Sequence, residues 1–121
     1  MNGKRFQLYL KRDDGCVHCG EMEAVSPHHR LNRGMGGSKA RDVPSNIIVV
    51  CSWLNSAMES DPAIAEKARQ LGWKLKSGEH PAVEPIYHYT MQWRVLDDSF
   101  GFHHDLSENA RVIRQLRHGG L

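Results

Sequence analysis

The chain has 121 residues, a formal net charge of +2, and 25% charged against 40% hydrophobic residues. That length suits one domain with a modest core, and the balance is that of an ordinary globular chain. The longest apolar run, IIVVC, is far too short to span a bilayer, and the opening MNGKRFQLYLKRDDG has no apolar signal core. A membrane partner and export are therefore excluded as expectations, and a cytoplasmic location is expected.

In chain order, Lys4 to Lys11 mixes apolar and basic residues and reads as a short helix rather than an edge strand. DDGCVHCG is a turn in which Gly15 and Gly20 bracket the CxxC pair Cys16 and Cys19. Ala24 to His28 reads as an extended arm, and RLNRGMGGSKARDVPSN as a loop. NIIVVC is β-branched, follows Pro44 and Ser45, and reads as a strand. CSWLNSAMESD then reads as a helix with Ser52 as N-cap. DPAIAEKARQLG is a second helix, with Asp61 as N-cap, Pro62 at its first position and Gly72 past its end. VEPIYHYTMQWRVLDDSFGF alternates and carries aromatics, which predicts two or three strands with a turn at Asp97–Asp98. SENARVIRQLR predicts a closing helix with Ser107 as N-cap and Val112, Ile113 and Leu116 on one side.

These elements predict an α+β fold in a single domain, residues 1 to 121. The core lies at about 13 to 61, and a C-terminal β-rich extension and helix at about 73 to 118. Trp53, Trp73 and Trp93 read as core. The cysteine count is odd, which in a chain that is not exported favours reduced thiols or a metal over a disulfide framework.

The charge is unevenly spread. Residues 27 to 41 hold Arg30, Arg33, Lys39 and Arg41 with no acidic residue, beside the pair His28–His29. A positive segment around potential ligands suits a phosphate-bearing partner. Gly34, Gly36 and Gly37 would let that loop approach a duplex closely. Arg111, Arg114 and Arg117 recur every three residues on the last helix; that face reads as solvated or as an extension of the same surface.

Three positions carry the chemistry: His28–His29, Asn46 just before a strand, and Asn55 on the helix that follows. With SPHHR, RGMGGS, PSNIIVVC, CSWLN and the knuckle DGCVHCG, the chain resembles the HNH endonucleases, the ββα-metal nucleases, over residues 13 to 61. More narrowly it resembles the small HNH proteins encoded by bacteriophages. The resemblance implies a ββα-metal core with flanking helices. It makes His28 a metal ligand and His29 the general base that deprotonates the attacking water. Asn46 becomes the asparagine bracing the loop, and Asn55 the second metal ligand where a histidine is common: an H-N-N pattern. It also implies double-stranded DNA as substrate, 5′-phosphate and 3′-hydroxyl ends, nicking by a single site, and phage packaging or recombination proteins as partners. The location would then be the cytoplasm of the host cell.

The residues support this chemistry in their own right. An imidazole with an ordinary pKa near 6.5 accepts a proton from water at neutral pH. A divalent cation with open positions stabilises charge on the phosphate, and one imidazole with an amide oxygen favours Mg²⁺ or Mn²⁺ over Zn²⁺. Glu59 lies one turn after Asn55 on the same helix face; it reads as a solvated glutamate or as a further carboxylate ligand. Many HNH proteins also hold a structural Zn²⁺ between two CxxC knuckles. Here Cys16, Cys19 and Cys51 are present, but the fourth position is Leu54. A closed site needs four ligands. His18 sits within the knuckle, where it cannot complete the site together with both its neighbours. Either a remote histidine (His80, His88, His103 or His104) completes it, or the zinc is lost and the cysteines pack as small apolar residues, the plainer reading. A non-catalytic zinc-knuckle module that binds nucleic acid is the alternative to the nuclease.

Overall fold

The computed structural model describes residues 1–32 and 39–105. The expectations for Arg33, Gly34, Gly36 and Gly37, and for the closing helix with Ser107, Arg111, Val112, Ile113, Arg114, Leu116 and Arg117, lie outside the described residues.

The first helix, α1 (Gly3–Asp13), starts at Asn2, whose side chain accepts a hydrogen bond from the Arg5 amide at 2.8 Å. Lys11 and Arg12 in its last turn suit the negative end of the helix dipole. It stops at Asp14, which turns left-handed at φ 54° and donates its amide to the Leu10 carbonyl. Gly15 continues at φ 93°, and a Cβ there would meet the Gly20 carbonyl oxygen at 2.5 Å, so only glycine opens the cysteine knuckle.

Strands β1 (Val25–His29) and β2 (Ile47–Cys51) pair antiparallel, with Val25 opposite Cys51 and His29 opposite Ile47. Every residue of β2 is buried because both faces of the hairpin are covered. Ile47 and Val49 pack with Tyr9, Phe6 and Leu10 of α1 on one side. Ile48 and Val50 join Leu54, Met58, Trp73, Ile86, Trp93 and Leu96 on the other. Successive strand residues point to opposite faces, so an unbroken apolar run is what a strand covered on both sides needs. Full burial of each such side chain contributes roughly 1.5–3 kcal/mol.

Helix α2 (Ser52–Ser60) follows β2 directly. Its N-cap is Cys51 rather than the expected Ser52: the Cys51 sulfur accepts the Leu54 amide at 3.4 Å, and Ser52 lies inside the first turn. Helix α3 (Pro62–Gln70) follows the expected pattern, with Asp61 accepting the Ala63 amide at 2.9 Å. Gly72 sits just beyond at φ 78°, where a Cβ would lie 2.0 Å from the Pro85 carbonyl oxygen.

Three strands follow among the described residues: β3 (Ile86–His88), β4 (Gln92–Leu96) and β5 (Phe102–His104), antiparallel in that order. Asp97 closes the expected turn by accepting the Ser99 and Gly101 amides. Asp98 reaches across to the Ser45 amide at 2.8 Å. Ile86, Trp93 and Leu96 share one core with Ile48 and Val50, so the C-terminal sheet is built into that core. The architecture is α+β: three helices and two small antiparallel sheets among the described residues. Trp73 and Trp93 are core as expected. Trp53 is a correction, being 56% exposed and stacked on His18 at 5.7 Å. No described helix is long and apolar enough to cross a membrane.

Candidate functional site: a histidine cleft and a cysteine knuckle

One cleft of about 590 Å³ is lined by Pro27, His28, His29, Asn32, Asn55, Met58, Glu59 and Lys74. It therefore gathers four of the residues singled out in the sequence: both histidines from β1, and Asn55 and Glu59 from α2. The helix does this by leaving β2 at Cys51 and carrying residues at i and i+4 back past the strand. Although neighbours on a strand alternate in direction, both histidines border the same cleft, with His29 at the strand's end.

The two imidazoles are held differently. The Nε2 of His28 lies 3.0 Å from the Trp73 carbonyl. A carbonyl only accepts, so Nε2 carries the proton and Nδ1 keeps its lone pair. Burial pushes the pKa of His28 down to about 4, and the positive charge of Lys74 adds to this, so the ring is neutral at physiological pH. A neutral imidazole with one nitrogen fixed by a backbone carbonyl is the form a metal ligand takes. The Nε2 of His29 lies 2.7 Å from a carboxylate oxygen of Asp42. The cleft also presents the amide of Asn55 and the carboxylate of Glu59, both oxygen donors.

Asn46 lies behind the cleft and is fully buried. Its side chain accepts the Leu31 amide at 2.8 Å and donates to the carbonyls of Leu31 at 3.1 Å and Arg41 at 2.9 Å. It thus ties together the two ends of the loop that follows the histidines. This is a bracing role, made through backbone.

Arg30 corrects the expectation of a phosphate contact. It is 2% exposed, and its guanidinium donates to the carbonyls of Gly72, Ser45, Pro81 and Glu84 at 2.7–2.9 Å. Burial pulls its pKa down to about 9, which leaves it charged at neutral pH. Arg30 fastens the end of β1 to the turn before β2 and to the segment between α3 and β3, and four of its five N–H donors are spent on those carbonyls inside the fold. Lys39 is exposed and Arg41 half-buried, both in a single turn of 3-10 helix, Lys39–Arg41. Sequence reasoning missed Asn32 and Lys74, which line the cleft, and Asp42, which touches His29; no motif connects these positions.

At the other end of the hairpin, the sulfurs of Cys16, Cys19 and Cys51 lie within 4.8 Å of one another. Together they can hold a metal ion, so the three cysteines are not merely scattered apolar fillers. Backbone amides of His18 and Leu54 donate to the sulfurs of Cys16 and Cys51, each at 3.4 Å. Burial pushes the Cys16 thiol up to about 12, so without a cation it stays protonated. Among the described residues no histidine or carboxylate joins the three sulfurs within that distance. His88 is spent elsewhere, between the Asp13 carbonyl and the Thr90 hydroxyl, at 2.7 Å each. His103 and His104 are exposed on β5, and His80 borders a different cleft. Leu54 is buried in the core where a fourth cysteine was sought.

No family model, no curated protein and no solved structure matches the chain.

Proposed function

We propose that the protein is a metal-dependent DNA endonuclease of the HNH type, with β1, β2 and α2 as its ββα core. The observation that carries this reading is the meeting of His28, His29, Asn55 and Glu59 in one open cleft, with Asn46 bracing the loop beside it. His28, Asn55 and Glu59 would hold a divalent cation, Mg²⁺ or Mn²⁺. When bound, the cation supplies charge stabilisation on the phosphate and its leaving oxygen. His29 takes a proton from water at Nδ1, and the water oxygen bonds to phosphorus. The bond from phosphorus to the 3′ oxygen breaks, its electron pair leaves on that oxygen, and solvent protonates it. The products are a 5′-phosphate and a 3′-hydroxyl. Lys74 on the cleft wall, with Lys39 and Arg41 at the base of the loop, attracts the phosphates of double-stranded DNA. A single cleft cuts one strand, so a monomer nicks.

The three sulfurs favour a second component: a structural Zn²⁺ on Cys16, Cys19 and Cys51 with a fourth ligand from solvent or from outside the described residues. They also support the alternative of a zinc-knuckle module that binds nucleic acid without cutting it. Plasmid nicking with Mg²⁺ or Mn²⁺, run with and without chelator, separates the two. Chelator-sensitive nicking that disappears in His29→Ala is the expected result. A zinc-loaded protein that binds DNA but never nicks it establishes the alternative instead.

A further inference from the structure

The general base proposed above needs one thing the motif does not supply: a group that decides which imidazole nitrogen is free. We infer that Asp42 is this positioning residue, holding His29 with its proton on Nε2 and its lone pair on Nδ1. The inference rests on the nuclease reading but draws on a separate observation, the 2.7 Å contact between His29 Nε2 and the Asp42 carboxylate. An ionised carboxylate only accepts hydrogen bonds, so the contact assigns the donor proton to Nε2. Nδ1 is then the nitrogen left to receive a proton from water, and a ring locked at one end does not rotate away from its substrate.

The local fold places Asp42 for this task. It ends the single turn of 3-10 helix Lys39–Arg41, and its amide donates to the Lys39 carbonyl at 3.2 Å. Its own carbonyl accepts from Arg5 of α1 at 3.1 Å, and the carbonyl of its neighbour Arg41 is held by Asn46. The carboxylate thus rides on a backbone fixed from two sides. Asn46, the bracing residue, acts on the base through Asp42's segment. Asp42 lies thirteen positions after His29 in sequence.

The test compares the full-length wild type with Asp42→Ala and Asp42→Asn. Plasmid nicking with Mg²⁺ gives kcat and KM, thermal melting reports the fold, and ¹⁵N spectra of the histidine rings in the protein without metal or DNA report the tautomer. The asparagine keeps the side chain's size but can donate as well as accept, so it does not enforce the tautomer. Expected are a fall in kcat of about a hundredfold for Asp42→Ala and at least tenfold for Asp42→Asn. KM and melting temperature should be nearly unchanged, and His29 should lose its preference for the proton on Nε2. Asp42→Asn with wild-type kcat, or a His29 tautomer unaltered in Asp42→Ala, overturns the inference while leaving the nuclease in place. A wild type that never nicks overturns the nuclease reading, and the ¹⁵N comparison then still decides whether Asp42 fixes the ring.

Discussion

At the Val25–Cys51 end of the β1–β2 hairpin the fold gathers sulfur, and at the His29–Ile47 end it gathers nitrogen and oxygen. The sulfur end is assembled by local backbone geometry. A left-handed Asp14, a glycine that tolerates no Cβ, two amide-to-sulfur hydrogen bonds and the start of α2 bring the three cysteines together. The histidine end is assembled by tertiary contacts: Trp73 and Lys74 come from beyond α3, and Asp42 from the far end of a loop. Soft ligands in a half-buried knuckle suit a cation that stays. Hard ligands around an open cleft suit a cation that shares its positions with water and phosphate. Helix α2 joins the two, since Cys51 caps it while Asn55 and Glu59 line the cleft.

Replacement of the proposed base should separate the two ends most sharply. His29→Ala is expected to reduce nicking by roughly 10²–10⁴-fold, with metal content at the sulfurs and the melting temperature unchanged. Nicking at the wild-type rate would remove His29 from the mechanism.

Arg30→Ala should strike both ends at once, through the fold. Four backbone carbonyls lose their donor, at a cost of about 3 kcal/mol or more, since each buried unsatisfied group costs roughly 1–3 kcal/mol. Urea unfolding checks this; a variant of wild-type stability with weakened DNA binding would return Arg30 to the phosphate-contact role.

Acid should destabilise the metal-free protein through histidines that burial keeps neutral, His28 at the cleft most of all. Burial lowers the pKa of His28 from 6.5 to about 4, so the unfolded chain takes up a proton that the folded chain resists. Stability is therefore full above pH 6.5 and falls as pH drops toward 4, by on the order of 3 kcal/mol at most. His18 and His88, lowered by burial too, act in the same direction. Denaturant midpoints across this range, compared with His28→Gln, measure the share of His28; an identical pH slope in that variant contradicts the assignment.

The smallest expected effect is at the cleft wall. Lys74→Ala should weaken DNA binding modestly and reduce the salt slope of binding by about one. Titrations at several salt concentrations check it, and an unchanged slope would place Lys74 away from phosphate.

The sequence by itself determined the pieces whose causes are local. The spacing of Asp61, Pro62 and Gly72 defined α3, and the β-branched run NIIVVC identified a strand, whose coverage on both faces the structure added. Gly15 and Gly20 marked the knuckle, and the i, i+4 spacing put Asn55 and Glu59 on one side of α2. Local rules also misled at two arginine and tryptophan positions. A basic residue beside two histidines looks like a DNA contact, and a tryptophan on an amphipathic helix looks like core. Yet Arg30 is buried because four carbonyls from three distant segments converge on it, and Trp53 is outside because His18 and the knuckle lie beneath it. Only the tertiary structure decided which nitrogen of His28 and of His29 is held, for the same reason. The partners that fix them, the Trp73 carbonyl at 3.0 Å and the Asp42 carboxylate at 2.7 Å, reach the histidines by chain packing, and packing leaves no periodicity or spacing in the sequence to read.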